Sequence, residues 1–243
     1  PAARFQLAPA DGVLPEGFFP TSNLPTYVHL GAGQWRLPGR PRMDCVIVRQ
    51  GDQLEVIEPR RVSRGALVAM GLLEDGSEGI YVHTAGFLGG AHSANEFRFM
   101  STEVSRERPV NYEELAARLL EERERGGFLI WVAGPALVHA RARGDFEWFI
   151  RQGFVQAVLA GNAVAVHDIE AAIFGTTLGM TNTGRPTDGG HGLHMRAINQ
   201  VRAAGSIERA VETGLVGSGI MHALVTHRVP YVLAGSIRDD GPL

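Results

Sequence analysis

Residues 155–170, VQAVLAGNAVAVHDIE, decide the fold that we expect for this chain. An apolar run stops at Gly161-Asn162, and a second apolar stretch then carries His167 and Asp168 side by side. A strand that ends in Gly-Asn and passes directly into a helix is typical of open α/β sheets, which expose backbone N–H groups to a cofactor at that point. The stretch therefore predicts the centre of an active site.

The composition is that of a folded protein that acts on a small molecule. Of 243 residues, 44% are apolar, which is enough to build a core. The net charge of −3 comes without a basic stripe, which argues against nucleic acid and anionic membranes as partners. The sequence has no lysine, so lysine Schiff bases and a Walker-type phosphate lysine are excluded within this chain.

Sequence features also indicate the cellular compartment. No apolar span of about 18 residues and no signal-peptide pattern is present. The single cysteine, Cys45, excludes an intramolecular disulfide and suits a reducing cytoplasm, where we expect the protein.

The first hundred residues predict a β-rich region. Prolines crowd the opening 28 residues, which favours an extended segment laid over another part of the molecule. Short apolar runs separated by glycine-containing turns then recur without a helix between them, which favours a small antiparallel barrel or meander. These runs are residues 26–30, 44–48, 53–57, the 67–71 region and 79–83.

Isolated histidine and cysteine residues are weak evidence for a metal or catalytic site. We expect His29, His83 and His92 to be surface or lining residues, and Cys45 to be a buried thiol, with catalysis as its alternative. His191 and His194 lie three apart at a helix start, but zinc would need further ligands, so we interpret them as a polar helix N-terminus and predict no metal site.

The second half alternates strands with helices. A helix is predicted from Asn111, its N-cap, to Gly126 just past its end, so residues 1–108 form the β-rich domain with its linker and 109–243 a Rossmann-like α/β domain. Apolar strands separated by helices predict an open, mostly parallel sheet with helices on both faces. The predicted strands are 128–134, 155–161 and 229–236, and the helices 145–153, 164–175, 191–205, 206–214 and 216–227.

We expect the binding and catalytic residues where these strands end, because ligands of such sheets bind beyond the carboxyl ends of the strands. Gly235 is followed by Asp239-Asp240 in a glycine-bounded loop, where the carboxylates either hold ribose hydroxyls or cap a turn. The pair His167-Asp168 has either a functional or a structural role, because a polar pair in an apolar helix needs partners. No G-x-G-x-x-G motif is present.

Six long motifs also resemble one known family. It is related to lysine-oxoglutarate reductase/saccharopine dehydrogenase (LOR/SDH) and includes archaeal ornithine cyclodeaminases and the C-terminal part of cyanobacterial arginine dihydrolase/ornithine cyclodeaminases. The resemblance implies NAD-dependent conversion of L-ornithine to L-proline and ammonia. The motifs are GFFPTSNLPTYV, RPRMDC, AGNAVAVHDIEAAIFGTTLG, RAINQVRAAGSIERAVETG, SGIMHALV and VPYVLAGSIRDDGPL.

The resemblance also implies site residues. Asn162, Ala163 and Asp240 match NAD contacts of the family, and Gly161 and Gly235 lie beside them. Family members usually carry an additional N-terminal segment and a further nucleotide-binding portion after the Asp-Asp-Gly-Pro loop, so we expect this chain to hold only part of the NAD site.

A mechanism follows in which NAD carries out the redox chemistry and the protein orients the substrate and moves protons. We expect His167 or Asp168 to transfer the proton. Asp239 is expected either to contact the substrate amine or to hold another side chain that contacts the substrate. A saccharopine- or lysine-related dehydrogenase and a non-catalytic nucleotide-binding module are the alternatives. Association into a homo-oligomer is expected as well.

Overall fold

The computed structural model describes residues 1–39, 42–85, 111–181, 183, 185, 187 and 189–235. Up to residue 85, the described chain forms short strands in two antiparallel sheets. The strands are β1 (Arg4–Leu7), β2 (Thr26–His29), β3 (Trp35–Arg36), β4 (Val46–Gln50), β5 (Gln53–Ile57), β6 (Leu67–Met70) and β7 (Ile80–Val82). Their orders are β1-β6-β4-β5 in one sheet and β3-β2-β7 in the other.

The two sheets pack face to face. Val28 and Ile80 of the three-stranded sheet share a buried cluster with Ile47 and Ala69 of the four-stranded sheet. The other face of the four-stranded sheet is covered by the opening segment and by Met195 from the second half of the chain. Because both of its faces are covered, the apolar run of β4 is buried along its length, as short continuous apolar strands usually are.

The structure corrects two predictions for this region. The opening segment contains a regular strand, β1, which pairs with β6 because its four residues precede Pro9 and keep their N–H groups for the ladder. The described strands also form two separate sheets rather than one barrel or meander: β2–β3 and β4–β5 join sequence neighbours, but β6 pairs with both β1 and β4, and β7 pairs with β2.

The second half is an α/β unit, which confirms the predicted class. Strands β8, β9 and β12 form a parallel sheet in the order β12-β9-β8. The elements are α1 (Tyr112–Glu124), β8 (Ile130–Ala133), α2 (Ala136–His139), α3 (Arg143–Arg151), β9 (Ala157–Gly161), α4 (Asn162–Phe174), β10 (Thr176–Thr177), β11 (Met180–Thr181), α5 (Leu193–Ala204), α6 (Ile207–Glu212), α7 (Ile220–Thr226) and β12 (Tyr231–Ala234).

The covering of this sheet differs from the prediction. Helices α2 to α7 contribute to one buried cluster on one face of the sheet, and within the described ranges no helix packs on the other face. Helix α2 and the β10–β11 hairpin were not predicted, because elements of two to four residues are too short to show a periodicity. The predicted boundary at 108/109 lies outside the described residues.

Helix α5 joins the two halves of the molecule. Its Met195 belongs to the core of the β-rich half, whereas its Ala197 and Val201 belong to the core of the α/β half. The side chain of Asn199 makes two hydrogen bonds with the backbone of Leu14, accepting from its N–H at 2.8 Å and donating to its carbonyl at 3.0 Å. The predicted packing of the opening segment onto another part of the molecule is therefore seen here.

Candidate functional site

The carboxyl ends of the parallel strands bring most of the predicted cofactor residues to one edge of the sheet. Gly161 ends β9 directly opposite Ala234 of β12, so Gly161 and Gly235 leave the sheet at the same level. Asp239 and Asp240 lie outside the described residues.

Helix α4 begins at this edge. Gly161 is its N-cap, with φ −75° and ψ 152°, and offers no side chain to cap the helix. Asn162 is 4% exposed and Ala163 is half-buried. Because the first N–H groups of a helix have no partner within it and carry partial positive charge, this end of α4 can receive a phosphate or a sugar hydroxyl.

His167 and Asp168 lie deeper in the molecule than this edge. They follow Asn162 by five and six positions on α4, which at a rise of about 1.5 Å per residue places them roughly 8 Å along the helix. His167 and Asp168 are therefore close to Asn162 in sequence but do not lie beside it at the edge of the sheet.

Asp168 is a fully buried carboxylate with several partners. Its Oδ1 accepts hydrogen bonds from Arg143 Nε at 2.5 Å and from the N–H of Ile220 at 2.9 Å, and its Oδ2 accepts from the N–H of Met221 at 2.8 Å. Burial raises the pKa of Asp168, and the Arg143 guanidinium and the two N–H groups oppose that rise. Through these contacts Asp168 caps the N-terminus of α7 and connects α4 to α3.

Glu170 is a second buried carboxylate of α4, and the sequence reading did not single it out. It accepts hydrogen bonds from Thr176 Oγ1 and Gly179 N at 2.9 Å and from Leu178 N at 3.0 Å. Burial alone would raise the pKa of Glu170, but the neighbouring His167 and the hydrogen bonds from these hairpin groups outweigh it and lower the pKa. Glu170 therefore stays ionised near neutral pH and holds the β10–β11 hairpin on α4.

His167 lies between Glu170 and a second histidine. Its Nδ1 is 3.6 Å from Glu170 Oε2, and its ring centroid is 4.9 Å from that of His139 at the end of α2. Burial lowers the pKa of His139, the neighbouring His167 lowers it further, and Glu170 acts in the opposite direction. Three titratable side chains thus lie in contact; the spacing of His167 and Glu170 on one helix face was the only signal of this in the sequence.

A cavity of 780 Å³ opens beside this cluster. It lies between the α2–α3 segment and the β10–β11 hairpin, and its lining includes His139, Arg141, Arg143 and Thr177. Of the predicted site residues that the structure describes, none lines it. The structure therefore separates the described site residues into those at the edge of the sheet and a buried polar pair further along α4.

Of the other histidines named in the sequence analysis, those that the structure describes make contacts that stabilise the fold. His194 is buried with Nε2 3.1 Å from Asp44 Oδ1, so its role is a contact between the halves of the chain. His29 and His83 stack on aromatic rings of the β-rich half, and Cys45 is buried as predicted. His92 and the side chain of His191 lie outside what the structure describes.

The described residues offer neither a metal site nor a membrane-spanning helix. Within these ranges, no group of three or more His, Cys, Asp or Glu residues could hold a metal ion. Among the helices that the structure describes, none combines the length and the hydropathy that a membrane crossing requires.

Two family models together match residues 25–243 of the chain. The family model described as arginine dihydrolase ArgZ-like, C-terminal, Rossmann fold matches residues 113–243. The model described as arginine dihydrolase ArgZ-like, C-terminal, first region matches residues 25–113. An ornithine cyclodeaminase from Methanopyrus kandleri is 44% identical over 99% of this chain and 57% of its own length.

Two solved structures are similar over the full chain. The ternary complex of AgrE with ornithine and NAD+ has a TM-score of 0.80 at 35% identity, with 100% of this chain and 33% of AgrE covered. A putative LOR/SDH protein from Methanococcus maripaludis has a TM-score of 0.53 at 38% identity, with 73% of that protein covered. The chain thus spans little more than half of the Methanopyrus relative and a third of AgrE.

Proposed function

The chain belongs to the family of ArgZ-like C-terminal regions, and from this premise we propose that it forms the core of an NAD-dependent ornithine cyclodeaminase, which converts L-ornithine to L-proline and ammonia. The observation that carries the proposal is the 44% identity with an ornithine cyclodeaminase over 99% of this chain. The AgrE complex with ornithine and NAD+ supports the choice of substrate and cofactor.

The edge of the parallel sheet fits a dinucleotide. Asn162 and Ala163 form the first turn of α4 at this edge, and Gly161 and Gly235 have no side chain that would keep a ligand away from the backbone. When bound, NAD would supply the acceptor and donor of the hydride. Asn162 and Ala163 would hold it, and Asp240 would accept hydrogen bonds from a ribose.

The proton-transfer role is best given to His167. Asp168 already accepts three hydrogen bonds, from Arg143 and from two N–H groups of α7, whereas His167 is an imidazole within 3.6 Å of the carboxylate of Glu170. A carboxylate in this position can orient an imidazole for proton transfer. Asp239 would contact the cationic amine of the substrate.

The activity is tested with the complete protein, L-ornithine and NAD+, by measuring proline and ammonia. Formation of both products in equal amounts supports the proposal. Turnover of L-lysine with 2-oxoglutarate and no proline from ornithine would show the lysine-related dehydrogenase instead. NAD binding without turnover of either substrate would show a nucleotide-binding module.

The cofactor edge is tested by Asn162→Ala. Losing an amide that bonds the bound nucleotide costs about 1.4 kcal/mol, so we expect the Kd for NAD to rise about tenfold in calorimetry. Asn23→Ala, on an exposed loop of the β-rich half, is the control and should leave the Kd unchanged. Because Asn162 is buried, Asp240→Asn serves as a second variant, and unchanged affinity in both would contradict the assignment.

The choice between the two proton-transfer candidates is tested by His167→Gln and Asp168→Asn. We expect His167→Gln to lower kcat about a hundredfold, in the range of general acid–base catalysis, while the protein stays folded. Asp168→Asn should instead lower the unfolding midpoint and leave kcat per folded molecule within about threefold of the parent. Near-normal turnover in both variants would exclude the pair from proton transfer.

A further inference from the structure

Arg196 of helix α5 is a half-buried cation without an acidic partner among the residues that the structure describes. Its Nε is buried and has no hydrogen-bond partner within these ranges. Burial lowers the pKa of Arg196, without an opposing effect from a neighbouring carboxylate. The buried carboxylates Asp168 and Glu170, in contrast, each accept several hydrogen bonds. The charge of Arg196 is thus left uncompensated by the described part of the chain.

A second polar atom without a partner lies one turn further along the same helix. Oε1 of Gln200 is buried and, within the described ranges, accepts no hydrogen bond. Side chains four residues apart on a helix can reach each other, yet Arg196 Nε and Gln200 Oε1 are not bonded. A buried donor and a buried acceptor without partners are costly, and native structures leave few of them. Their occurrence on one helix face indicates that a third group bonds to both.

The two side chains lie where the halves of the molecule meet. Successive residues turn by about 100° around a helix axis. Arg196 and Gln200 therefore lie between Asn199, which bonds the β-rich half, and Ala197, which belongs to the core of the α/β half. Ligand sites occur preferentially at such junctions between domains. The junction is thus a suitable place for a small molecule.

Helix α5 also connects this pair to the proposed cofactor edge. It packs on α4 and starts beside the β10–β11 hairpin, where Gly190 lies against Gly179. Because the hairpin follows the end of α4, helix α5 runs back along α4 toward the end at which Asn162 lies. The pair is therefore carried by the helix that returns to the cofactor edge.

We propose that Arg196 and Gln200 bind one oxyanion-bearing ligand at this junction, through either the carboxylate of the amino-acid substrate or a phosphate of the cofactor. The guanidinium donates two parallel hydrogen bonds to the oxyanion, which is the geometry that arginine offers to carboxylates and phosphates. Gln200 Oε1 accepts a hydrogen bond from an amino or hydroxyl group of the same ligand. The candidate ligands rest on the proposed function: ornithine carries a carboxylate beside an amine, and NAD carries phosphates beside ribose hydroxyls.

Arg196→Met tests the pair in the complete protein. The Kd for NAD+ is measured by calorimetry, and the KM for L-ornithine at saturating NAD+. We expect at least one of the two constants to rise about tenfold or more, because charge-assisted hydrogen bonds to the oxyanion are lost. A rise in KM alone identifies the carboxylate, and a rise in Kd alone the phosphate. Arg209→Met, at an exposed position of α6, is the control and should change neither. Unchanged constants in Arg196→Met would overturn the proposal.

The stability of the protein without ligands separates binding from a structural role. Replacing an uncompensated buried charge by an apolar side chain of similar length should raise the unfolding midpoint by about 2 °C or more. A guanidinium that the fold itself requires would give the opposite result, so a midpoint equal to or below that of the parent would overturn the proposal.

Gln200→Glu is a second variant that keeps Arg196 in place. It supplies a carboxylate one turn from the guanidinium, which takes the position of the ligand oxyanion. We expect a higher unfolding midpoint together with ligand binding that is at least about tenfold weaker. Ligand binding as strong as in the parent would contradict the proposal.

Failure of the proposed function gives a different result. A parent protein that forms no proline from ornithine contradicts that function, and the NAD titration and the unfolding midpoints still test the pair. A parent that forms proline, with an Arg196→Met variant that keeps both constants, contradicts only the oxyanion site.

Discussion

At the scale of single residues, helix α4 combines an apolar sequence with four buried polar side chains, of which three lie beyond its first turn. His167, Asp168 and Glu170 are 8%, 0% and 0% exposed. Buried carboxylates cost several kcal/mol unless they are paired and hydrogen-bonded. The two acids meet that condition on different sides of the helix, because positions two apart are separated by about 200° around its axis: Asp168 contacts α3 and α7, and Glu170 contacts the hairpin.

Replacing Glu170 by glutamine tests the hydrogen bonds between helix α4 and the β10–β11 hairpin. Glutamine keeps the shape but presents an amide N–H₂ group to donors that need an acceptor, so the free energy of unfolding should fall by about 2 kcal/mol at pH 7. Urea denaturation measures the change. Glu121→Gln, in an exposed pair with Arg125 on α1, is the control and should cost less than about 0.5 kcal/mol.

The same variant has an expected pH dependence. The pKa of Glu170 is lowered in the folded protein relative to its ordinary value of 4.5. Its ionised form therefore contributes stability above pH 4.5, and the contribution is lost as the pH falls through the folded pKa. The difference between parent and Glu170→Gln should be full at pH 7 and shrink below pH 4.5. A difference that stays constant from pH 7 to pH 3 would contradict this account.

At the scale of elements, helix α7 begins without a capping side chain of its own. Its N-cap is Gly219, with φ 103°, and the first N–H groups, of Ile220 and Met221, bond instead to Asp168 of α4. The close approach leaves no room for a side chain: a Cβ at Gly219 would overlap the Arg143 guanidinium and lie 2.5 Å from Asp168 Oδ1. The start of α7 and the buried ion pair are therefore one structural unit.

Gly219→Ala should consequently cost far more than an ordinary glycine substitution. Gly175, the C-cap of α4, is the matched control, because it has φ 70° and open space around its Cβ position. We expect Gly175→Ala to lower the free energy of unfolding by about 1 kcal/mol, from backbone strain alone. Gly219→Ala adds the displacement of a buried pair and should cost about 3 kcal/mol or more. Equal losses of unfolding free energy in the two variants, measured by thermal or urea denaturation, would show that the Arg143–Asp168 pair can move aside without loss of stability.

At the scale of the whole molecule, the two halves are held together by helix α5. Asn199 bonds both backbone groups of Leu14, His194 contacts Asp44, and a Cβ at Gly192 would meet the ring of Pro20. These contacts join residues more than 140 positions apart in sequence. The opening segment thereby becomes part of the support for the helix that packs directly on α4.

Asn199→Ala tests this junction. It leaves a buried N–H and a carbonyl of Leu14 without their partner, which should cost about 2 kcal/mol and loosen residues 8–20 from α5. Hydrogen exchange at Leu14 should accelerate about tenfold or more, while amides of α4 keep their protection. The control is Asn23→Ala, whose amide lies on an exposed loop. Unchanged exchange at Leu14 would mean that the two hydrogen bonds do not hold the segment.

Much of the architecture could be predicted from sequence because it depends on local physics. Asn111 accepts a hydrogen bond as the predicted N-cap, Ser206 does so at the start of the helix predicted from residue 206, and Gly175 and Gly205 end helices with positive φ. Short apolar runs separated by turns in the first half, and apolar strands alternating with helices in the second, distinguished the β-rich half from the α/β half. Strand β1 escaped prediction because pairing with β6, rather than its own pattern, makes it a strand.

The sequence by itself determined the α/β class, the parallel sheet, the Gly161-Asn162 turn and the family, because each depends on residues adjacent in the chain or on long motifs. The tertiary structure alone decided the partners of α4: Arg143 for Asp168, the hairpin for Glu170 and His139 for His167. It also decided that, among the described helices, those of the core cluster all pack on the same face of the sheet. The physical reason is that a buried charge or an apolar face is satisfied by whatever the fold brings beside it, and those neighbours are distant in sequence.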